Sequence, residues 1–315
     1  MKTAIFATFF LTFLADESNQ FKPPDATARQ KAIGSLDDLP DALIRALTPG
    51  KDFPPTQAPG PHDWLANHDE PGQTFDQFRR FAANKPDKER PAIYLQPLGA
   101  FSKKEDALAK RWQAFAAAYF AGEVKLLEPL ALDAIPLTTR TNSFTGKRQI
   151  LSTDVLTALT KRLPGDAFCL LAFTMEDLYP DAEWNFVFGQ ASLRRRVGVF
   201  SFARHDPAFF GRERSEGHET TMLRRSGKVL AHETGHMFGI KHCIYFDCLM
   251  NGSNHLAESD ARSLHLCPVC LRKMHHSVGF DIPGRYGKLR ALYRKTGLIA
   301  ESTWIEKRVR FLSPK

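Results

Sequence analysis

Residues 232–243 read HETGHMFGIKHC. On an α-helix, positions four apart share a face, so His232 and His236 can present two imidazoles to one metal ion. Glu233, one step round the helix, is turned away from that ion yet can reach a water bound to it. Gly239 admits a sharp backbone turn that a side chain resists, and such a turn can return His242 as a third ligand. Three protein ligands leave a fourth position open for water, which distinguishes catalytic from closed structural zinc. Zinc lowers the pKa of bound water from about 15.7 to about 7, and a carboxylate such as Glu233 can take its proton during attack on a carbonyl. The expected reaction is hydrolysis of an amide or peptide bond. Met237 and Phe238 are expected to face the core.

The cysteine that follows His242 opens a second pattern, C-x4-C-x18-C-x2-C, through Cys243, Cys248, Cys267 and Cys270. Four thiolates in two short-spaced pairs fit a closed tetrahedral zinc site, whose contribution to folding reaches about 10 kcal/mol or more in small domains. The side chains of His242 and Cys243 must diverge, one towards each metal. The second zinc is therefore expected to pin the loop carrying the third ligand of the first, giving two Zn²⁺ per chain. Between the cysteines, Met250 can form a soft apolar floor under the imidazoles. Five cysteines are an odd number, and Cys169 stands apart in AFCLLAF. The distribution favours metal ligation plus one core thiol over a disulfide framework.

Outward from this centre, MLRRSGKVLAHETGHMFGI reads as the helix that carries the histidines. From residue 91 short apolar runs alternate with helical periods: AIYLQPL, EDALAKRWQAFAAAYF, EVKLLEPLAL, TDVLTALTKRL and AFCLLAFTMEDL. That alternation predicts an α/β layer around a sheet. WNFVFGQASLRRRVGVFSFAR predicts two aromatic-rich strands in an antiparallel hairpin. Residues 16–62 are rich in Pro, Asp and Gly and read as an irregular arm with one helix near SLDDLPDALIRAL. The division expected is a leader and arm over 1–60 and a catalytic domain over 61–315.

The 315 residues are 43% hydrophobic, enough for one large core or two modest ones. The net charge of +8 is local: residues 285–315 hold nine Lys/Arg against two acids, and Arg194, Arg195 and Arg196 form a run. These read as solvated basic faces, because no nucleic-acid recognition motif accompanies them. MKTAIFATFFLTFLA at the N-terminus has the charge and length of a secretory apolar region, although Phe13 stands where a cleavage enzyme prefers a small residue. The alternative is a buried or amphipathic segment. Either way the stretch is too short to span a bilayer.

H-E-x-x-H-x-x-G-x-x-H followed by a methionine turn resembles the metzincin metallopeptidases. The adjacent Cys243, the stretch CIYFDCLMNG and the later CPVC narrow the resemblance to the archaemetzincins, as do LYPDAEWNFVFGQASL and GVFSFAR. It extends over roughly residues 60–280. The resemblance implies His232, His236 and His242 as catalytic zinc ligands, Glu233 as general base and acid, and Met250 as the Met-turn. It further implies Cys243, Cys248, Cys267 and Cys270 around a structural zinc. The implied fold is metzincin-like: a twisted mixed sheet, an active-site helix, a horizontal cleft and a smaller C-terminal subdomain. One sheet edge lines that cleft, and Gly189, Gln190 and Ala191 are the candidates for binding an extended peptide there. The implied partner is a peptide or protein substrate, met by a monomer, in the cytoplasm unless residues 1–15 direct export. A zinc-stabilised scaffold with little turnover is the competing function; retention of Glu233, which a scaffold does not need, favours the peptidase.

Overall fold

The computed structural model describes residues 21–81 and 84–312, so the leader-like stretch 1–15 lies outside the described residues. In chain order the elements are α1 (Ala26–Ile33), α2 (Asp41–Leu47), α3 (Trp64–Asn67), α4 (Phe75–Arg80), β1 (Ala92–Leu98), α5 (Lys103–Phe120), β2 (Val124–Leu126), β3 (Thr139–Thr141), β4 (Arg148–Leu151) and α6 (Ser152–Thr160). There follow β5 (Ala167–Thr174), β6 (Asp177–Tyr179), β7 (Gly189–Ser192), β8 (Val197–Ser201), α7 (His218–Met237), α8 (Leu256–Ala261), α9 (Pro268–Val278), α10 (Ile282–Lys295) and α11 (Ile299–Leu312).

The main sheet has the order β2-β1-β5-β8-β7. Its first four strands are parallel and β7 pairs antiparallel with β8 as an edge. The expected α/β architecture with a mixed sheet is present, and the hairpin over residues 189–201 ends it. A smaller sheet, β3-β4-β6, lies apart.

Both faces of the main sheet are buried, which is why its strands read as continuous apolar runs. Ile93 and Leu95 of β1, Leu171 and Phe173 of β5 and Phe200 of β8 face a core shared with α5 and α7. Tyr94, Leu170, Ala172, Val197 and Val199 face a second core under α6. Helix α5 starts at a capping box between Ser102 and Glu105, and its buried Ala109, Trp112, Phe115, Ala116, Tyr119 and Phe120 keep helical spacing. Trp112 Nε1 donates to Ser226 Oγ at 2.7 Å, tying α5 to α7 inside the core.

The N-terminal region differs from the irregular arm expected. Besides the helix expected there, α2, it holds α1, and Ala32, Ile33, Ala46, Leu47 and Phe53 belong to the main core. Its partners are the C-terminal helices: Arg272 of α9 donates to Ile33 O, and the fully buried Arg308 of α11 donates to the carbonyls of Arg45, Ala46 and Thr48. The short apolar pairs here lack a sustained period, and the acceptors are backbone carbonyls more than 200 residues from their donors. Local pattern therefore carries no trace of the packing. Among the described residues, no helix is long and apolar enough to cross a membrane.

Candidate functional site

Helix α7 delivers the first two histidines. Its buried face includes Met222, Leu223, Leu230, Ala231 and Met237, and it stops at Phe238, after which Gly239 has φ +81°. That left-handed residue, with Ile240 N–H donating to Gly235 O at 3.2 Å, turns the chain so that His242 meets His232 and His236. Met237 and Phe238 are buried in the core.

The ring nitrogens of the three histidines lie within 4.8 Å of one another. His232 Nδ1 is 3.0 Å from Leu249 O, His236 Nδ1 is 2.7 Å from Ile240 O, and His242 Nδ1 is 2.6 Å from Glu70 Oε1. Oxygens of carbonyls and of a carboxylate only accept, so each Nδ1 carries a proton and Nε2 is the atom left for a metal. His232 Nε2 and His236 Nε2 stand 3.0 Å apart. Two lone pairs opposed at that distance suit a shared cation: zinc–nitrogen bonds of about 2.0–2.1 Å in a tetrahedron put the nitrogens roughly 3.3 Å apart. Burial, reinforced by neighbouring imidazoles, lowers the pKa of His236 to about 4 and that of His232 well below its usual value, which keeps both rings neutral as ligands must be.

Glu70 was not marked by the sequence. Burial acts to raise its pKa, but hydrogen bonds from His242 and from Trp64 Nε1 (2.9 Å) outweigh it and leave the carboxyl lowered. Gln73, three residues on, holds the same loop: its Nε2 donates to Gly239 O and its Oε1 accepts from Lys241 N, each at 3.2 Å, while Lys273 Nζ donates to Gln73 Oε1 at 3.0 Å. No local signal marks these residues, since their partners around the histidine loop lie more than 160 positions away.

Glu233 is buried, and among the described residues its carboxylate has no hydrogen-bond partner; burial raises its pKa to about 8. Strand β7 crosses directly over it. A Cβ built on Gly189 would sit 2.8 Å from Glu233 Oε1. The expected peptide-binding residues are thus at the site, with Gly189 allowing backbone and carboxylate to approach, Ala191 packed on the core, and Gln190 Oε1 turned away to accept from Ser152 Oγ at 2.6 Å. Met250, fully buried, lies beneath the histidines' helix: a Cβ on Gly235 would be 2.5 Å from its sulfur.

The four thiols of Cys243, Cys248, Cys267 and Cys270 are buried, free of disulfides and within 4.8 Å of one another. Cys243 Sγ and Cys267 Sγ are 3.6 Å apart, close to the roughly 3.8 Å edge of a tetrahedron with zinc–sulfur bonds of about 2.3 Å. Cys248 Sγ also accepts from the backbone N–H of Met250 and Cys267. Asn251 closes the loop that follows His242: Oδ1 accepts from Cys248 N and Nδ2 donates to Cys243 O, each at 2.7 Å. Cys243 N donates to Met250 O at 2.8 Å. Cys169 lies in β5, fully buried, its thiol pKa pushed up by burial.

A cleft cavity of about 430 Å³ opens beside the histidines, between β7, Trp64 and Trp184, the Met250 turn and the second half of α7. Arg194, Arg195 and Arg196 do not line it; they form the β7–β8 turn, where Arg196 takes φ +56° and donates to Ala167 O. The cations that do line it are Lys228 and Arg262. Burial, with Arg224 nearby, brings the Lys228 amine down to about 7.

Residues 146–276 match the family model of Peptidase family M54. The chain is 41% identical to Archaemetzincin-2 of Macaca fascicularis over 276 residues, covering 78% of this chain and 76% of that protein. It is 40% identical to Archaemetzincin-2 of Homo sapiens over 275 residues, with the same coverage. Among solved structures, an archaemetzincin from Methanopyrus kandleri is 28% identical, with a TM-score of 0.46, covering 62% of this chain and 99% of that one.

Proposed function

The chain belongs to the archaemetzincin family and is a metallopeptidase; from that premise we propose that it hydrolyses peptide bonds with one zinc ion held by His232, His236 and His242, and with Glu233 as proton carrier. The observation that carries this reading is the convergence of three imidazoles, each oriented from behind through Nδ1, next to an unpaired buried carboxylate.

Zinc at the three imidazoles supplies Lewis acidity, making water nucleophilic near neutral pH and drawing electrons from a peptide carbonyl. The protein's own residues do the rest. Glu233 has no competing hydrogen bond, so its ionised carboxylate can take a proton from the attacking water and return it to the leaving amine. The outer edge of β7 offers an extended peptide backbone hydrogen bonds beside that carboxylate. Glu70 and the two carbonyls fix the ring orientations. Cys243, Cys248, Cys267 and Cys270 would hold a second zinc, and Asn251, bonded to Cys243 O, would pass that constraint to the adjoining His242.

The test is a broad peptide library incubated with zinc-loaded protein and, in parallel, with Glu233→Ala prepared identically, read by mass spectrometry. Cuts that require Glu233 are expected and reveal whether a free amino terminus is needed. Empty digests from two fully metallated proteins would shift the reading to a zinc-stabilised scaffold.

A further inference from the structure

The cleft cavity is floored by two cations that the proposed hydrolysis does not use. Lys228 lies one helical turn before His232 on the same face of α7, about 6 Å along the axis. It is only 5% exposed, and its Nζ donates to the carbonyl oxygens of Ser259 and Arg262. Among the described residues no carboxylate lies within 4.0 Å of that nitrogen. Arg262 directs Nη2 to Glu258 Oε1 at 3.2 Å, while its Nε is buried with no hydrogen-bond partner. Glu258 is further engaged by the backbone N–H groups of Trp64 and Asn254. It offsets Arg262, while Lys228 has only the more distant Glu301, Asp260 and Asp247 to balance it, none in direct contact. The carboxylates on the cavity wall are Glu233, committed to proton transfer, and Asp181, which is exposed.

A cation withdrawn from water is unfavourable unless an opposite charge is supplied. In a site already dehydrated, attraction to an arriving anion is stronger than in water. We propose that this cavity binds a carboxylate of the peptide substrate through Lys228, with Arg262 Nε as a second donor. The carboxylate is either the side chain of an Asp or Glu flanking the scissile bond or a free C-terminus at the same distance. This rests on the peptidase reading and gives that site a substrate class. Lys228 and Arg262 are then specificity residues, and the selectivity comes from a buried donor that an uncharged analogue leaves without its partner.

The test uses quenched peptides that differ only in the residues flanking the cut, bearing Glu, Gln, Leu or Lys, each with a free and an amidated C-terminus. Zinc-loaded wild type is expected to favour Glu over Gln, or free over amidated termini, by about 10–100-fold in kcat/KM; which pair shows the preference identifies the carboxylate. In Lys228→Met the ratio should collapse towards one, and in Arg262→Gln it should fall part of the way. Equal rates for both pairs in wild type, or a ratio unchanged in Lys228→Met, would overturn the proposal. Fluorescence anisotropy of the same peptides on Glu233→Ala needs no turnover. Tighter binding of the carboxylate peptides with no cleavage by wild type would uphold the cavity and refute the peptidase; equal binding would refute the cavity. Should Lys228→Met fail to fold, the wild-type ratios and Arg262→Gln still decide.

Discussion

Glu70 Oε1 stands 2.6 Å from His242 Nδ1, joining positions 172 residues apart in the chain. The other two imidazoles are oriented by backbone carbonyls, so His242 alone depends on a side chain that mutation can remove. Replacing Glu70 with Gln keeps an acceptor but removes the charge; replacing it with Ala removes both. Zinc affinity at the histidine site should fall about 10–100-fold in Glu70→Ala and less in Glu70→Gln, since partners behind metal-bound histidines commonly contribute on that scale. Competition against a chelator reads this directly, and equal affinities in all three proteins would remove Glu70 from the account.

Gly189→Ala tests how closely the edge strand covers Glu233. The added methyl would lie 2.8 Å from the carboxylate, so strand or carboxylate must shift. Turnover is expected to drop on the order of 100-fold while zinc content stays the same, because displacement of a reacting group by about 1 Å has that effect. Metal analysis alongside steady-state rates separates this outcome from loss of the ion.

Cys267→Ser removes one thiol of the four-cysteine cluster, and through Asn251 and the Cys243–Met250 hydrogen bond should also loosen the histidine site. Weaker zinc binding at both sites and a lowered Tm are expected. A metal-competition titration that finds the histidine site untouched would show the two centres to be independent.

Acid stability should depend on Glu301. Burial opposes its ionisation, but His265 at 2.9 Å and Arg224 at 2.7 Å prevail and hold its pKa down to about 2. A carboxyl depressed below its unfolded value near 4.5 contributes stability fully above that pH and loses it as pH falls towards 2. The whole contribution is on the order of 3 kcal/mol. In denaturant titrations Glu301→Gln should be less stable than wild type at pH 7, with the gap narrowing below pH 4. A gap constant from pH 7 to 3 would show that ionisation is not its origin.

The helix α7, its three histidines and the four cysteines could be read from the sequence because each rests on a local rule: two imidazoles at i and i+4, a glycine at the turn, thiols in short-spaced pairs. The central strands were equally readable, since burial on both faces makes β1 and β5 unbroken apolar runs. Glu70, Gln73 and Lys273 were not. Polar residues in turns and on helices occur everywhere, and what gives these three their role is a partner made adjacent only by the completed fold. Helix α1 escaped for the same reason, whereas α2 falls where a helix was expected. The basic run at 194–196 attracted notice by density alone, whereas the cations at the cleft, Lys228 and Arg262, are 34 positions apart.

The contacts of α1 and α2 with α9 and α11 also bear on how the molecule is made. Arg308 reaches carbonyls 260–263 positions earlier, and Arg272 reaches one 239 positions earlier. During synthesis from the N-terminus, Ile33, Ala46 and Leu47 leave the ribosome long before the surface that covers them exists. At about 5–20 residues per second, some ten seconds to a minute passes with those apolar groups unburied. Helices α1 and α2 thus dock long after they are made, and this waiting interval exposes their apolar faces to chaperones and proteases.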